Sequence, residues 1–187
     1  MAQSWRVTLS HPKDRGRKPR PPLDSARLRD LALHYVGRFA TTRAKLSAYL
    51  KRKIVERGWD DATPPDIEAL SEQFVDLGYI DDAGYAAMKA GALTRRGFGT
   101  RRVSEALRAA GVGEGDSAPA LDDAAAERWA SADAFAKRKR LGPYADAPVA
   151  REKRDKQIAA FLRAGHVYAM ARRWIDAAPG EIPDRDD

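Results

Sequence analysis

The chain contains no cysteine. Disulfides, thiol nucleophiles and Cys-ligated zinc are thereby excluded together, and a reducing compartment suits it. No apolar run approaches the roughly 20 residues that cross a bilayer. The opening MAQSWRVTLSHPKDRGRKPRPPL carries charge without an apolar core, so no secretory signal is expected and the expected location is the cytoplasm. Alternating strand patterns are nearly missing, and aromatic residues are sparse at 8%. No GxxxxGK[ST] phosphate loop occurs, and His11, His34 and His166 form neither an HExxH nor a local ligand pair. No cofactor and no metal are expected.

What is present is charge. One third of the 187 residues are charged, the net charge is +7, and 43% apolar residues supply a thin core. A basic balance points to an anionic partner, nucleic acid before membrane surface. Residues 1–25 are rich in Pro, Arg, Lys and Gly and read as a disordered basic arm. Residues 179–187 read as a short acidic tail.

Between them the periodicity is helical. Leu28, Leu31, Ala32, Tyr35, Val36 and Phe39 form one stripe, and Leu46, Tyr49, Leu50 and Ile54 a second. Thr63, two prolines and Asp66 predict a helix start, with Ile67, Leu70, Phe74 and Leu77 on its buried face and Gly78 as its stop. Asp81 is placed to cap the next helix, and Thr100 the one after it, which carries Val103, Ala106, Leu107 and Ala110. Residues 113–120 read as a linker. A long helix is expected over 121–141, then a Pro-containing connection at 142–149, then helices near 152–164 and 167–177.

The chain repeats itself. Residues 32–50 fall on 89–107 with a shift of 57, and those on 157–175 with a shift of 68. Val36, Leu93 and Phe161 align, as do Leu46, Val103 and Ala171, and Leu50, Leu107 and Ile175. Arg38, Arg95 and Arg163 share one position just before the turn, and Ala40, Gly97 and Gly165 are the small residues within it. RRGFGTRRVSEAL therefore has two counterparts, RFATTRAKLSAYL and RAGHVYAMARRWI. A phosphate cradle would keep its glycines in every copy, so the repeated unit reads as a helix–turn–helix hairpin. The expected architecture is all-α: about three tandem three-helix repeats, over 26–80, 81–142 and, in partial form, 150–178, stacked into an elongated, curved body.

GYIDDAGYAAM followed by RRGFGTRRVSEALRAAGV resembles the central repeat of the RecX family, regulators of the RecA recombinase. ALHYVGRFATTRAKLSAYLKRK is similar to their first repeat and QIAAFLRAGHVYAMARRWI to their third. The resemblance implies a small all-helical protein that is not an enzyme. It implies binding to RecA on DNA in the groove of the filament, and inhibition of RecA's ATPase, strand exchange and coprotease activities in DNA repair and the SOS response. The implied partners are the RecA filament and single- and double-stranded DNA; a monomer with no membrane contact is expected.

The candidate basic face comprises Arg38, Arg95, Arg96, Arg101, Arg102, Lys137, Arg138, Lys139, Arg140, Arg151, Lys153, Arg154 and Arg163. Arginine's planar fork suits phosphate and carboxylate alike. A second reading stands beside contact with a partner, that Arg38, Arg95 and Arg163 satisfy helix C-termini. The pairs Asp81–Asp82 and Asp122–Asp123 sit at helix starts and read as caps. Tyr35, Tyr49, Phe74, Tyr85, Phe161 and Trp174 lie at helical spacing and read as core. A general DNA-binding helix–turn–helix protein, acting by competition for DNA, is the alternative; a hydrolase finds no nucleophile–base pair in its support.

Overall fold

A computed structural model describes residues 20–185. Among the described residues the chain is all-helical, with nine α-helices, a 3₁₀ turn at Gly142–Tyr144 and one isolated bridge between Leu23 and Trp59. The helices are α1 (Ser25–Val36), α2 (Arg43–Arg57), α3 (Ile67–Asp76), α4 (Asp82–Arg95), α5 (Thr100–Ala109), α6 (Glu114–Ala126), α7 (Arg128–Lys139), α8 (Arg151–Arg163) and α9 (Tyr168–Asp176).

The first four start on side-chain caps. Asp24, Thr42, Asp66 and Asp81 accept hydrogen bonds from the amides of Arg27, Lys45, Ala69 and Gly84. Asp66 replaces the expected start at Thr63, because its carboxylate reaches an amide of the first turn. Thr100 is not the cap of α5 either. Gly99 precedes the helix, and Thr100 is its first residue.

Three apolar clusters follow one another along the chain. Leu28, Leu46, Leu50 and Phe74 centre the first, on α1–α3. Ala86, Ala90, Val103, Leu107, Ala120 and Ala124 make the second, on α4–α6. Phe135, Ile158, Phe161, Trp174 and Ile175 make the third, on α7–α9.

This grouping corrects three expectations. The supposed linker 113–120 is the start of α6, whose Glu114 and Asp116 suit a helix N-terminus. Pro119 lies inside it, and the backbone bond it removes belongs to the carbonyl of Gly115, which is exposed and open to solvent. The long helix 121–141 breaks at Glu127 into α6 and α7. Finally, α7 does not complete the second repeat. Its Ala132, Phe135 and Ala136 pack with α8 and α9, so the third repeat is complete, with its extra helix before its hairpin. In the first two repeats that helix follows.

The expected arm also ends earlier. Leu23 is fully buried, donates its amide to Gly58 and accepts from Asp60, while Pro21 accepts two bonds from the Arg57 guanidinium. Residues 1–19 of the arm lie outside the described residues. The acidic tail is tied at its start by the Gly180 amide donating to the Pro143 carbonyl at 2.9 Å; residues 186–187 lie outside the description.

Candidate functional site

The repeated turns are the places where repeats join. Gly97, Gly111 and Gly165 all have positive φ, the region open to residues without Cβ. Gly97 and Gly99 bring the α4–α5 turn onto two other backbones. A Cβ on Gly97 would lie 2.6 Å from the nitrogen of Phe135, and one on Gly99 would lie 2.4 Å from the carbonyl oxygen of Gly165. The Gly99 amide donates to Ala164, and the Arg101 amide to Gly165. Two amides at the start of α5 are thus already occupied by protein carbonyls. RRGFGT is a docking turn between repeats, and its glycines serve close backbone approach rather than an anion.

His166 seals this joint. It is 4% exposed, packs against both rings of the Phe135–Phe161 pair, and donates Nε2–H to the Gly97 carbonyl at 3.2 Å. Burial pushes its pKa below the ordinary 6.5, against a smaller upward pull from the Gly97 bond. A base with a lowered folded pKa takes its proton more readily when unfolded. Stability is therefore lost as pH falls below about 6.5 and continues to fall until the ring's own lowered value is reached. Melting between about pH 7.5 and 5.5 is expected to show this loss, and His166→Gln is expected to reduce it. An equal acid loss in both proteins would refute the assignment.

The first and second repeats join at the other end of α5. Thr42 Oγ1 donates to the Ala110 carbonyl at 2.6 Å, the Arg43 amide donates to Asp82, and a Cβ on Gly111 would meet that of Ala44 at 2.3 Å. Helix α5, ten residues long, therefore spans both joints, about 15 Å apart. Asp81 is a cap as expected. Asp82 is instead an inter-repeat acceptor, and burial raises its pKa. Among the described residues no group of His, Asp and Glu is arranged to hold a metal.

The candidate cations sit around these joints. Twelve of the thirteen are exposed, and Arg154 is the exception. Its fork is bidentate on Asp176, at 2.6 and 2.7 Å, which holds the Asp176 carboxyl below the usual range. That pairing removes Arg154 from the set free to meet a partner. Arg96 and Arg138 come together on one ring: their guanidiniums lie 5.5 and 5.4 Å from the centroid of Phe98, and Arg138 also donates to the Arg96 carbonyl. Arg101 and Arg102 lead off α5 directly over the turn that follows Arg163. Arg102 pairs with exposed Glu105, at 3.3 Å. Lys137, Arg138 and Lys139 occupy the last turn of α7, and Arg140 follows with a left-handed φ of 52°. Arg151 and Lys153 open α8 across the 142–150 connection. Arg38 stands apart, in the first hairpin. The second and third turns meet at one joint, so the cations around them share one neighbourhood, and Arg38 alone belongs to the first turn.

A cavity of about 310 Å³ opens beside the second joint, lined by Thr100, Arg101, Leu121, Arg128, Val167 and Met170. Sequence reasoning missed it because its lining comes from α5, α6, α7 and the start of α9, which are distant in the chain and meet only through packing. Among the described residues no helix is long and apolar enough to cross a membrane.

No protein-family model matches the chain. Known proteins do. A regulatory protein RecX of Myxococcus xanthus is 35% identical over 178 residues, spanning 89% of this chain and 94% of that one. One of Halorhodospira halophila is 31% identical over 164 residues, spanning 87% and 92%. The crystal structure of RecX from Lactobacillus salivarius superposes with a TM-score of 0.58 at 19% identity, over 78% of this chain and 90% of that one, and so shares the fold. With the tandem helical repeats and these relatives in agreement, the chain belongs to the RecX family of regulatory proteins.

Proposed function

We propose that this protein is a non-enzymatic regulator of RecA. It binds the RecA–DNA filament along its helical groove and inhibits ATPase, strand exchange and coprotease activity, in DNA repair and control of the SOS response, acting as a cytoplasmic monomer. The observation that carries the reading is the arrangement of cations: exposed arginines stand at every hairpin turn, those of the second and third turns together at one joint and Arg38 apart on the first. A filament presents identical surfaces at regular intervals. Weak contacts at two separated places on one body suit such a lattice and gain by avidity what each contact lacks.

The test is RecA's single-stranded-DNA-dependent ATPase, with this protein titrated upward from far below RecA's concentration at near-physiological salt. Inhibition at sub-stoichiometric amounts is expected, since too few molecules are then present to mask the DNA. Inhibition only once the DNA is saturated with protein would replace this reading with competition for DNA.

A further inference from the structure

The first hairpin carries a feature that the other two lack. Phe39 in its turn is 51% exposed. Behind it stands Tyr35, with ring centroids 5.5 Å apart, and Tyr35 is stacked face to face on Tyr49 at 4.3 Å and 14°. Cations stand at both ends of this row of rings. The Arg38 guanidinium lies 5.6 Å from the Phe39 centroid; Arg52 and Lys53 lie 5.6 and 5.7 Å from that of Tyr49. Lys53 and Arg52 share Glu56, whereas Arg38 has no carboxylate partner among the described residues.

Packing alone does not account for the three rings. The repeat supplies an internal control: the positions of Tyr35, Phe39 and Tyr49 are Ala92, Arg96 and Ala106 in the second hairpin, and Ala160, Ala164 and Trp174 in the third. The second hairpin closes without any aromatic there. Only in the third is one retained, and that Trp174 is fully buried. Charge singles out the same hairpin. Residues 25–57 hold nine Lys and Arg against two Asp and Glu; nine less two is +7, equal to the net charge of the entire chain.

An exposed ring backed by two more, on the most basic of the three hairpins, fits a ligand that offers flat faces and phosphates together. We propose that the α1–α2 hairpin is a stacking platform for single-stranded DNA, with a base on Phe39 and phosphates on Arg38 and Arg52. Unpaired bases expose the faces that such rings need, which duplex bases do not. The choice of DNA rests on the RecA–DNA filament reading; the platform itself does not, and its test leaves RecA out.

The experiment measures binding of the full chain to a fluorescent oligothymidine, and to an abasic strand of equal length and charge. Wild-type protein is expected to prefer the bases by about 5- to 150-fold, the span given by stacking one base. Phe39→Ala and Phe39→Leu are expected to abolish that preference and leave abasic binding as it was; the site is half-exposed, so circular dichroism should be unchanged. Arg38→Ala should weaken both strands and reduce the salt slope by about 0.7. Equal binding of both strands by the wild type, or a preference that survives in Phe39→Leu, would overturn the proposal. Tighter binding of oligouridine than of oligothymidine would overturn the assignment to DNA. Loss of RecA inhibition in the ATPase titration with this preference intact would reject the filament reading and leave the platform standing.

Discussion

Gly165→Ala is expected to melt about 4–20 °C below the parent protein. Two costs combine. Gly165 has φ of 95°, outside the regions that residues with a Cβ adopt readily, and this costs about 1–2 kcal/mol. The added carbon would also stand 2.4 Å from the Arg102 nitrogen and 2.6 Å from the Arg102 Cβ. A backbone atom cannot swing aside as a side chain can, so the α8–α9 turn must back away from α5, at about 1–3 kcal/mol. The Ala164 and Gly165 carbonyls would then lose their bonds from Gly99 and Arg101. At about 2–4 °C per kcal/mol for a chain of this size, the sum gives the stated range. Gly115→Ala is the control, since nothing lies within 4 Å of its Cβ and it sits in the first turn of α6. It is expected to hold or raise the melting temperature by removing freedom from the unfolded chain. Hydrogen exchange locates the effect: amides at the start of α5 should lose protection, while α1–α3 keep theirs. A Gly165→Ala protein that melts within about 2 °C of the parent, the least that the backbone cost alone would give, would refute the tight joint.

The same joint marks where the sequence was readable. Hairpins α1–α2, α4–α5 and α8–α9 were legible because each carries a stripe of large apolar residues, such as Leu46 and Leu50, and a small residue at the turn. Helix α6 was not. Its buried face is Ser117, Ala120 and Ala124, small residues that leave almost no periodic signal, and Gly115 and Pro119 mimic a linker. Its packing against α4, itself lined by Ala86 and Ala90, depends on that smallness. Losing α6 then displaced α7 by one repeat. Tyr35 and Tyr49 pack against the first core as their spacing implies, while Phe39 of the same stripe is exposed, because helical spacing says which face a ring is on and not how much of it is covered. In the basic set, the sequence found every exposed cation it named but had no means to see that Asp176 claims Arg154.

Reversing Arg95, Arg101 and Arg102 together to glutamate is expected to raise the concentration needed for half-inhibition of RecA by about 100-fold or more. The three side chains are exposed and carry little of the fold. Acids at positions 101 and 102 suit the first turn of α5, while an acid at 95 opposes the dipole at the C-terminus of α4 by about 0.3–1 kcal/mol, so the variant should melt within a few degrees of the parent. The loss would be at the interface alone. Each reversal removes an attraction and installs a repulsion, worth about 1 kcal/mol or more apiece against a complementary surface, and three give at least the factor stated. Arg154 carries the opposite expectation: with its fork held by Asp176, Arg154→Ala should lower the melting temperature more than it weakens inhibition. The partner behind the loss is separable by salt. If the triple variant loses oligonucleotide binding as steeply as inhibition, with a salt slope shallower by about 2, the second turn meets phosphates. If inhibition falls and oligonucleotide binding does not, the second turn meets RecA, and the aromatic first hairpin is left as the DNA contact. The array would then divide its labour by repeat, with one hairpin on the strand and the next on the protein coating it. Unchanged inhibition by the triple variant would reject this turn as a contact of either kind.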